Sequence, residues 1–296
     1  NWDSDVVMRF SADFTRRKEV KRVEGYFDQA SIGCGQSASL KIMGARSVDV
    51  SLYRIGYYKG AGARLITTIK NAKQITATQS TPPGQYLVKL KSLGYRSTFV
   101  PLVITGRVPS DVTFVSSVLT WQAYNQWGGS SLYKGPDAKR ETKALSVTFD
   151  RPYDGDGAGQ LRYMEFPALY LAEKAGHEIN YITDLDLDSD PTALRNTKSI
   201  VVGGHSEYWT ERMRRAIDTS VDRGINFVAL GGNTGYNKVT YNPKTRTMSN
   251  IVMWRDPSVR KPESLLLGAQ FFALGVRSDY VVKSAAQDRK STRLNS

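Results

Sequence analysis

Alternating apolar and polar residues occupy the first third of the chain. The alternating runs are separated by glycine or Pro-Pro-Gly turns and cover residues 39–42, 48–55, 65–69, 85–90 and 99–104. Such alternation is typical of strands with one buried face, and glycine and proline are typical of the turns between them. The pattern predicts a small antiparallel β-sandwich, of immunoglobulin-like type, over residues 1–105.

From residue 106 the pattern changes to short apolar strands that alternate with amphipathic helices. The predicted strands cover residues 112–119, 179–183, 199–202 and 225–230. The predicted helices cover residues 165–175, residues 192–195 and a segment after Thr210, and residues 184–190 are expected to form an acidic turn. Alternation with short connections indicates a mostly parallel sheet covered on both faces. Residues 106–275 are therefore predicted to form an α/β domain.

The end of the chain differs from both regions. Residues 276–296 are polar and charged without apolar periodicity, which predicts a disordered or non-native tail. No apolar run is long enough to span a bilayer, and the first residues lack the apolar core of a secretion signal. We therefore expect a cytoplasmic protein without membrane contact. The alternative is a secreted protein whose leader has been removed, because the chain begins with Asn1.

Basic residues outnumber acidic residues without forming one basic face. Lys and Arg total 41 against 28 Asp and Glu, which gives a net charge of +13 in 296 residues. The basic residues are scattered over several short clusters, and no aromatic and basic string typical of RNA-binding domains is present. We interpret them as a solvated surface with no specific nucleic-acid partner, the alternative being a surface that binds polyanions. The single cysteine, Cys34, excludes an internal disulfide and a CxxC metal site.

The clearest candidate chemistry follows two of the predicted parallel strands. The strand at residues 199–202 leads into the string GGHSEYW, which carries His205 and Glu207, and the strand at residues 225–230 leads to Asn233. The carboxyl ends of parallel strands meet at one edge of a sheet, where open α/β folds bind ligands. We therefore expect His205, Glu207 and Asn233 at one site.

Motifs for nucleotide and serine-hydrolase chemistry are absent from the sequence. It contains no phosphate-binding glycine loop, no GxGxxG fingerprint at a strand-to-helix turn and no GxSxG nucleophile elbow. Two aromatic and amide-rich segments remain, TWQAYNQWGG at residues 120–129 and SVTFDRPY at residues 146–153. On their own, they are expected to form an aromatic cluster that packs the junction between the two domains.

Taken together, five strings in the second half of the chain resemble the family of the large (beta) subunit of N,N-dimethylformamidase. In chain order they are TWQAYNQWGG, SVTFDRPY, YITDLDLD, GGHSEYWT and LGGNTGY. The region from Glu24 to Gly60 is also similar to the β-sandwich region of that family. The resemblance implies a β-sandwich followed by a glutamine-amidotransferase-like α/β domain. It also implies an amide hydrolase that acts on small amides such as formamides.

A metal centre is a further implication of the resemblance. The family holds a mononuclear ferric ion through two tyrosines and one glutamate, which by motif would be Tyr124, Tyr153 and Glu207, with Tyr133 and Tyr163 as alternatives to Tyr124. Phenolate and carboxylate oxygens are hard donors that suit Fe(III) better than zinc. Three protein ligands leave positions open for water and an amide oxygen.

Catalytic roles are also implied for two residues beside those ligands. We expect His205 to handle the proton of the attacking water or of the leaving amine, and Asn233 to donate to the developing oxyanion. The expected partners are a small-molecule amide, a small subunit and further copies of the chain. A further acidic catalytic residue is expected well beyond Asn233, so we expect this chain to be a truncated form with an incomplete site.

A second resemblance keeps a different class of function open. The α/β region is also similar to glutamine-amidotransferase-like and trehalose-utilisation-type domains. This similarity allows a non-catalytic module, binding a carbohydrate or another ligand, that is joined to a β-sandwich. Cysteine-based glutaminase chemistry is not expected, because His205 and Ser206 occupy the turn where its nucleophile would lie.

Overall fold

A computed structural model describes residues 21–106, 109–190 and 192–271. Its strands are β1 (Glu24–Phe27), β2 (Ser31–Ile32), β3 (Ser37–Met43), β4 (Asp49–Ile55), β5 (Ala63–Lys70), β6 (Gln74–Thr76), β7 (Gly84–Lys91), β8 (Thr98–Ile104), β9 (Ser110–Ser116), β10 (Ser146–Thr148), β11 (Ile179–Thr183), β12 (Thr197–Gly203), β13 (Tyr208–Trp209), β14 (Asn226–Leu230), β15 (Asn237–Asn242) and β16 (Thr247–Met253). Its α-helices are α1 (Val118–Tyr124), α2 (Phe166–Lys174), α3 (Asp184–Ser189), α4 (Glu211–Asp222) and α5 (Ser264–Leu267). The predicted tail at residues 276–296 lies outside the described residues.

The strands before residue 106 form two sheets. One has the order β2-β8-β7-β4-β5 and the other the order β1-β3-β6. Phe27 and Leu40 of the smaller sheet share one buried apolar cluster with Val50 and Val88 of the larger sheet. The β-sandwich stays a prediction, which this packing of two sheets supports.

The second half of the described chain contains a four-stranded sheet with the order β11-β9-β12-β14, and its strands are all parallel. The two central strands, β9 and β12, contribute buried side chains to the core: Phe114, Val115, Ile200 and Val202. The register pairs Thr183 with Ser116, Val202 with Val115 and Gly203 with Leu230. All four strands therefore end at nearly the same level, and the segments that follow them start from one edge.

Three elements of the second half differ from the sequence expectation. The strand predicted at residues 112–119 ends at Ser116, and its last residues start helix α1. The expected acidic turn is helix α3, and the helix expected at residues 192–195 is a turn. Thr183 explains the acidic helix, because its hydroxyl accepts a hydrogen bond from the Asp186 backbone while the Asp186 carboxylate accepts one from the Thr183 backbone.

A fourth sheet was not expected from the sequence. It has the order β10-β16-β15-β13 and contains the antiparallel hairpin of β15 and β16 directly after the string LGGNTGY. The register of β15 against β16 shifts between Lys238 and Thr240. Strand β13 joins this sheet in parallel with β15, which places residues 207–209 beside the hairpin.

An ion pair links the larger N-terminal sheet to the parallel sheet and its helices. Arg54 of β4 contacts the carboxylate of Glu173 in α2 at 2.8 Å, and the Tyr181 hydroxyl donates to the same oxygen at 2.6 Å. The second carboxylate oxygen accepts from the Tyr57 backbone at 2.8 Å. Side chains from both halves also share one apolar core, which includes Ile55 and Phe114. None of the helices in the described ranges has the length and apolar character that crossing a membrane would require.

Replacing Glu173 with Gln should lower the free energy of unfolding by about 2 kcal/mol, because Arg54 would keep a charge in a largely buried position without a counter-charge. Denaturant titration measures this difference. Asp111→Asn is the matched control, since it removes the carboxylate of the solvent-exposed ion pair with Lys198. An equal effect of the two substitutions would contradict a stabilising role for the buried pair.

Candidate functional site

Two buried carboxyl groups hold the start of helix α1. The Ser117 backbone donates to Glu165 at 2.8 Å, and the Leu119 backbone donates to Asp184 at 2.9 Å. Glu165 also accepts from the indole of Trp121 at 3.1 Å. The first N–H groups of a helix lack acceptors within the helix, so these carboxyls satisfy groups that would otherwise be buried without a partner. Burial raises the pKa of Glu165 to about 8 and the pKa of Asp184 well above its ordinary value.

The middle of helix α1 is joined to the segment after β12 by a single hydroxyl. Thr120 Oγ1 accepts hydrogen bonds from the backbone N–H of Glu207 at 2.9 Å and of Tyr208 at 3.1 Å. On its other side the same segment accepts a backbone hydrogen bond from Asn237 at 2.9 Å, as β13 pairs with β15. Residues 207 and 208 are therefore held between helix α1 and the hairpin.

The end of helix α1 is joined to the RPY segment. Arg151 donates to the carbonyl oxygen of Gln122 at 2.9 Å and to its side-chain oxygen at 3.2 Å. The Asn125 amide donates to the carbonyl of Pro152 at 2.8 Å and accepts from the Asp154 backbone at 2.9 Å. Three of the strings recognised in the sequence, TWQAYN, RPY and GHSEYW, thus meet at one seven-residue helix.

Four polar side chains converge where these segments meet, and we name them the Glu207 cluster: Tyr124, His205, Glu207 and Asn237. The Tyr124 hydroxyl donates to Glu207 Oε2 at 2.6 Å. His205 Nε2 lies 3.4 Å from the same oxygen, and the Asn237 amide donates to Glu207 Oε1 at 2.9 Å. The cluster combines an acidic, a phenolic and an imidazole group, and 23 % of the His205 side chain is exposed to solvent.

Burial sets the electrostatics of the Glu207 cluster. Loss of solvent raises the pKa of the Glu207 carboxyl, which the hydrogen bond from Tyr124 partly opposes. Burial also lowers the pKa of His205. The pKa of Tyr124 is raised, first by burial and then by the charge of Glu207. Near neutral pH the imidazole is therefore uncharged, and the phenol keeps its proton unless a cation displaces it.

The remaining residues predicted from the sequence lie near the cluster but outside its hydrogen bonds. Tyr153 packs edge-on against Trp121, with ring centroids 6.3 Å apart, and lines a cavity of about 50 Å³ that Tyr124 also lines. Asn233 lies in the turn after β14 in the left-handed conformation, at φ 58°, and its carbonyl accepts from the Tyr236 backbone. The structure thus brings Tyr124, His205 and Glu207 together, while Tyr153 and Asn233 lie in adjacent segments.

The two alternative tyrosines occupy different environments. The ring centroid of Tyr133, which is half-buried, lies 4.7 Å from the ring centroid of Tyr124. Tyr163 lies in the π-helical turn before α2, and 40 % of it is exposed. Of the three tyrosines considered for the first ligand position, Tyr124 is the one whose hydroxyl contacts Glu207.

Sequence reasoning missed Asn237 and Thr120. Asn237 directly follows LGGNTGY, and its amide reaches Glu207 because β15 starts beside β13. The position of Asn237 after a glycine-rich turn could have suggested a functional role. The pairing of β15 with β13, which brings Asn237 to Glu207, could not be predicted from the sequence. Thr120 lies within the string TWQAYNQWGG, but nothing in the sequence indicated that its hydroxyl would bind the backbone of Glu207, 87 residues away.

A metal centre of histidine, cysteine and carboxylate ligands finds no support in the described part of the chain. No group of three or more His, Cys, Asp or Glu side chains there is arranged to hold an ion. A centre that includes phenolate ligands is a different case, and Tyr124 and Glu207 place two oxygen donors 2.6 Å apart.

Comparison with known protein families identifies a match over most of the second and third parts of the chain. The family model described as N,N-dimethylformamidase beta subunit-like, C-terminal, matches residues 70–293, which is well over half of the chain. The matched range contains the parallel sheet, helix α1 and the whole Glu207 cluster. No curated protein matches the chain.

Replacing Thr120 with Val should lower the free energy of unfolding by about 3 kcal/mol, because two buried N–H groups would lose their acceptor. Denaturant titration of the purified variant measures the loss. Thr120→Ser is the control, since it keeps the hydroxyl and removes one methyl group. If the Ser and Val variants were equally destabilised, the hydroxyl would not be the group that joins the two segments.

Proposed function

Because the chain belongs to the N,N-dimethylformamidase beta subunit-like family, we propose that it hydrolyses small amides, formamides among them. Membership of this family indicates hydrolase activity in general, and the Glu207 cluster is the observation that supports amides. Tyr124, His205 and Glu207 meet beside the edge at which the four parallel strands end. A glutamine-amidotransferase-like arrangement of the α/β region belongs to the same proposal.

The donor atoms of the cluster suit the ferric ion that the family implies. A phenol and a carboxyl that share one proton at 2.6 Å are two hard oxygen donors, and a cation in place of that proton would be bound by both. We propose Tyr124 and Glu207 as two ligands and Tyr153, which lines the same cavity as Tyr124, as the third. When bound, the ion would supply Lewis-acid activation of the amide carbonyl.

The protein's own residues supply orientation and proton transfer. Asn237 holds one oxygen of Glu207, which fixes the direction of the other oxygen. His205 Nε2, beside that oxygen and open to solvent, takes a proton from the attacking water and delivers it to the amide nitrogen as the C–N bond breaks. Water and amide are thereby converted to a carboxylic acid and an amine. Asn233 is proposed to donate to the oxyanion from the turn after β14.

His205→Ala should lower kcat/KM for formamide hydrolysis by iron-loaded protein at least about 100-fold, because the proton carrier is lost. Release of the amine from N,N-dimethylformamide measures the rate. His177→Ala is the matched control, since the only other histidine of the chain is exposed in the turn after α2, and it should leave the rate unchanged. Equal rates for the two variants would remove His205 from the mechanism.

Several expectations stay predictions. Self-association, a small subunit and a cytoplasmic location belong to this group, as do the domain boundaries at residues 105 and 275. The assay itself distinguishes the proposed hydrolase from a non-catalytic ligand-binding module. A binding module would bind iron or small ligands without releasing an amine from any amide.

A further inference from the structure

A basic loop lies next to the Glu207 cluster. The loop between α1 and β10 exposes four cationic side chains, and its acidic side chains are Asp137 and Glu141. The cationic residues are Lys134, Lys139, Arg140 and Lys143. Asp137 accepts hydrogen bonds from the Lys139 backbone and from the Thr142 hydroxyl within the loop. The loop therefore presents a net positive charge to solvent.

Arg140 is linked to the cluster by two aromatic rings. Its guanidinium carbon lies 4.5 Å from the centre of the Tyr133 ring, and it donates to the Tyr133 hydroxyl. The Tyr133 ring in turn lies 4.7 Å from the Tyr124 ring, whose hydroxyl contacts Glu207. Stacking on an aromatic ring holds a guanidinium in place while leaving its other N–H groups free to bind an anion.

Arg140 forms no salt bridge with a carboxylate among the residues that the structure describes. None of the four cationic side chains of the loop forms a salt bridge with another residue of ranges 21–106, 109–190 and 192–271. The ring contacts from Arg140 to Tyr133 and from Tyr133 to Tyr124 place the guanidinium beside the cluster. A cation at this position favours approach of anions, in a chain whose net charge is already +13.

We infer that Arg140, held on Tyr133, is a binding residue for a carboxylate on the substrate, so that the preferred amides carry an acidic group remote from the bond that is cleaved. This inference rests on the proposed amide hydrolase function. A planar guanidinium binds a carboxylate through two parallel hydrogen bonds, a geometry that an ammonium group does not offer. Two tyrosine rings, whose planes are inclined by 39°, lie between Arg140 and Glu207. This separation favours amides in which several bonds separate the acidic group from the amide.

Binding of matched amide pairs tests the inference without requiring turnover. One pair is N-formyl-4-aminobutyrate with N-butylformamide, and the other is succinamate with butyramide. In each pair a carboxylate replaces the terminal methyl group, and the rest of the molecule is the same. Titration calorimetry should show that the acid of at least one pair binds about fivefold more tightly than its neutral partner, and that the preference declines at high salt. Equal binding within both pairs would overturn the inference.

Substitution of Arg140 assigns the preference to that residue. Arg140→Gln should reduce the acid-to-neutral ratio to near one, and Arg140→Lys should restore part of it, because charge is kept and the planar fork is lost. Arg223→Gln removes an equal exposed charge at the far end of α4 and should leave the ratio unchanged. If Arg140→Gln and Arg223→Gln lowered the ratio equally, general surface charge would explain it and the inference would fail.

Failure of the proposed function gives a different result. If acids bind preferentially through Arg140 but no amide is hydrolysed by iron-loaded protein, the hydrolase proposal is wrong and the anion site stands. If all four amides are hydrolysed and none binds preferentially, the hydrolase proposal stands and the anion site is wrong.

Discussion

Helix α1 must remain fully packed for the site to exist, because its buried hydrogen bonds join several distant parts of the chain. Six of its seven residues are buried and none of the seven is charged. Its start is held by Glu165 and Asp184, its middle contacts residues 207 and 208 through Thr120, and its end contacts residues 151–154. Tyr124 is the last residue of this helix, so the position of its hydroxyl is set by contacts made along the whole helix.

The larger N-terminal sheet also helps to fix the position of helix α1. Gln85 of β7 donates to Glu165 at 2.7 Å, and therefore links the larger of these sheets to the carboxyl that holds Ser117 and Trp121. Burying carboxyl groups such as Glu165 carries a cost in free energy that hydrogen bonds from several donors offset. The two buried carboxyls hold the start of helix α1, and the end of the same helix keeps the phenol of Tyr124 in contact with Glu207.

Much of the parallel sheet could be predicted from the sequence. Its strands are short apolar runs bounded by polar turns, and residues 179–183 were predicted with the observed bounds. Thr210 caps α4 as expected, because a threonine before an amphipathic run is a local signal. Strand formation and helix capping of this kind depend mainly on residues close together in the sequence, so they can be predicted from one sequence.

Contacts between distant segments could not be predicted in the same way. Helix α1 follows an apolar strand without a turn signal, and it starts where it does because Glu165 and Asp184 accept its first N–H groups. The motif resemblance suggested Tyr124 and Glu207 as neighbours, and the structure places their oxygens in contact. The contact of Asn237 with Glu207 was missed because it depends on the parallel pairing of β13 with β15. No local sequence pattern indicates that a two-residue strand would pair with the β15–β16 hairpin.

We propose that Tyr124 and Glu207 bind one cation through their oxygen atoms. The most direct measurement is the visible absorption spectrum of the purified chain after ferric loading, because a tyrosinate bound to ferric iron gives a charge-transfer band. We expect a band in the unmodified protein and in Tyr163→Phe, whose side chain is partly exposed in another segment, and a weaker or absent band in Tyr124→Phe, in which Tyr153 is the remaining proposed phenolate ligand. A colourless loaded protein, or an unchanged band in Tyr124→Phe, would rule out Tyr124 as a ligand.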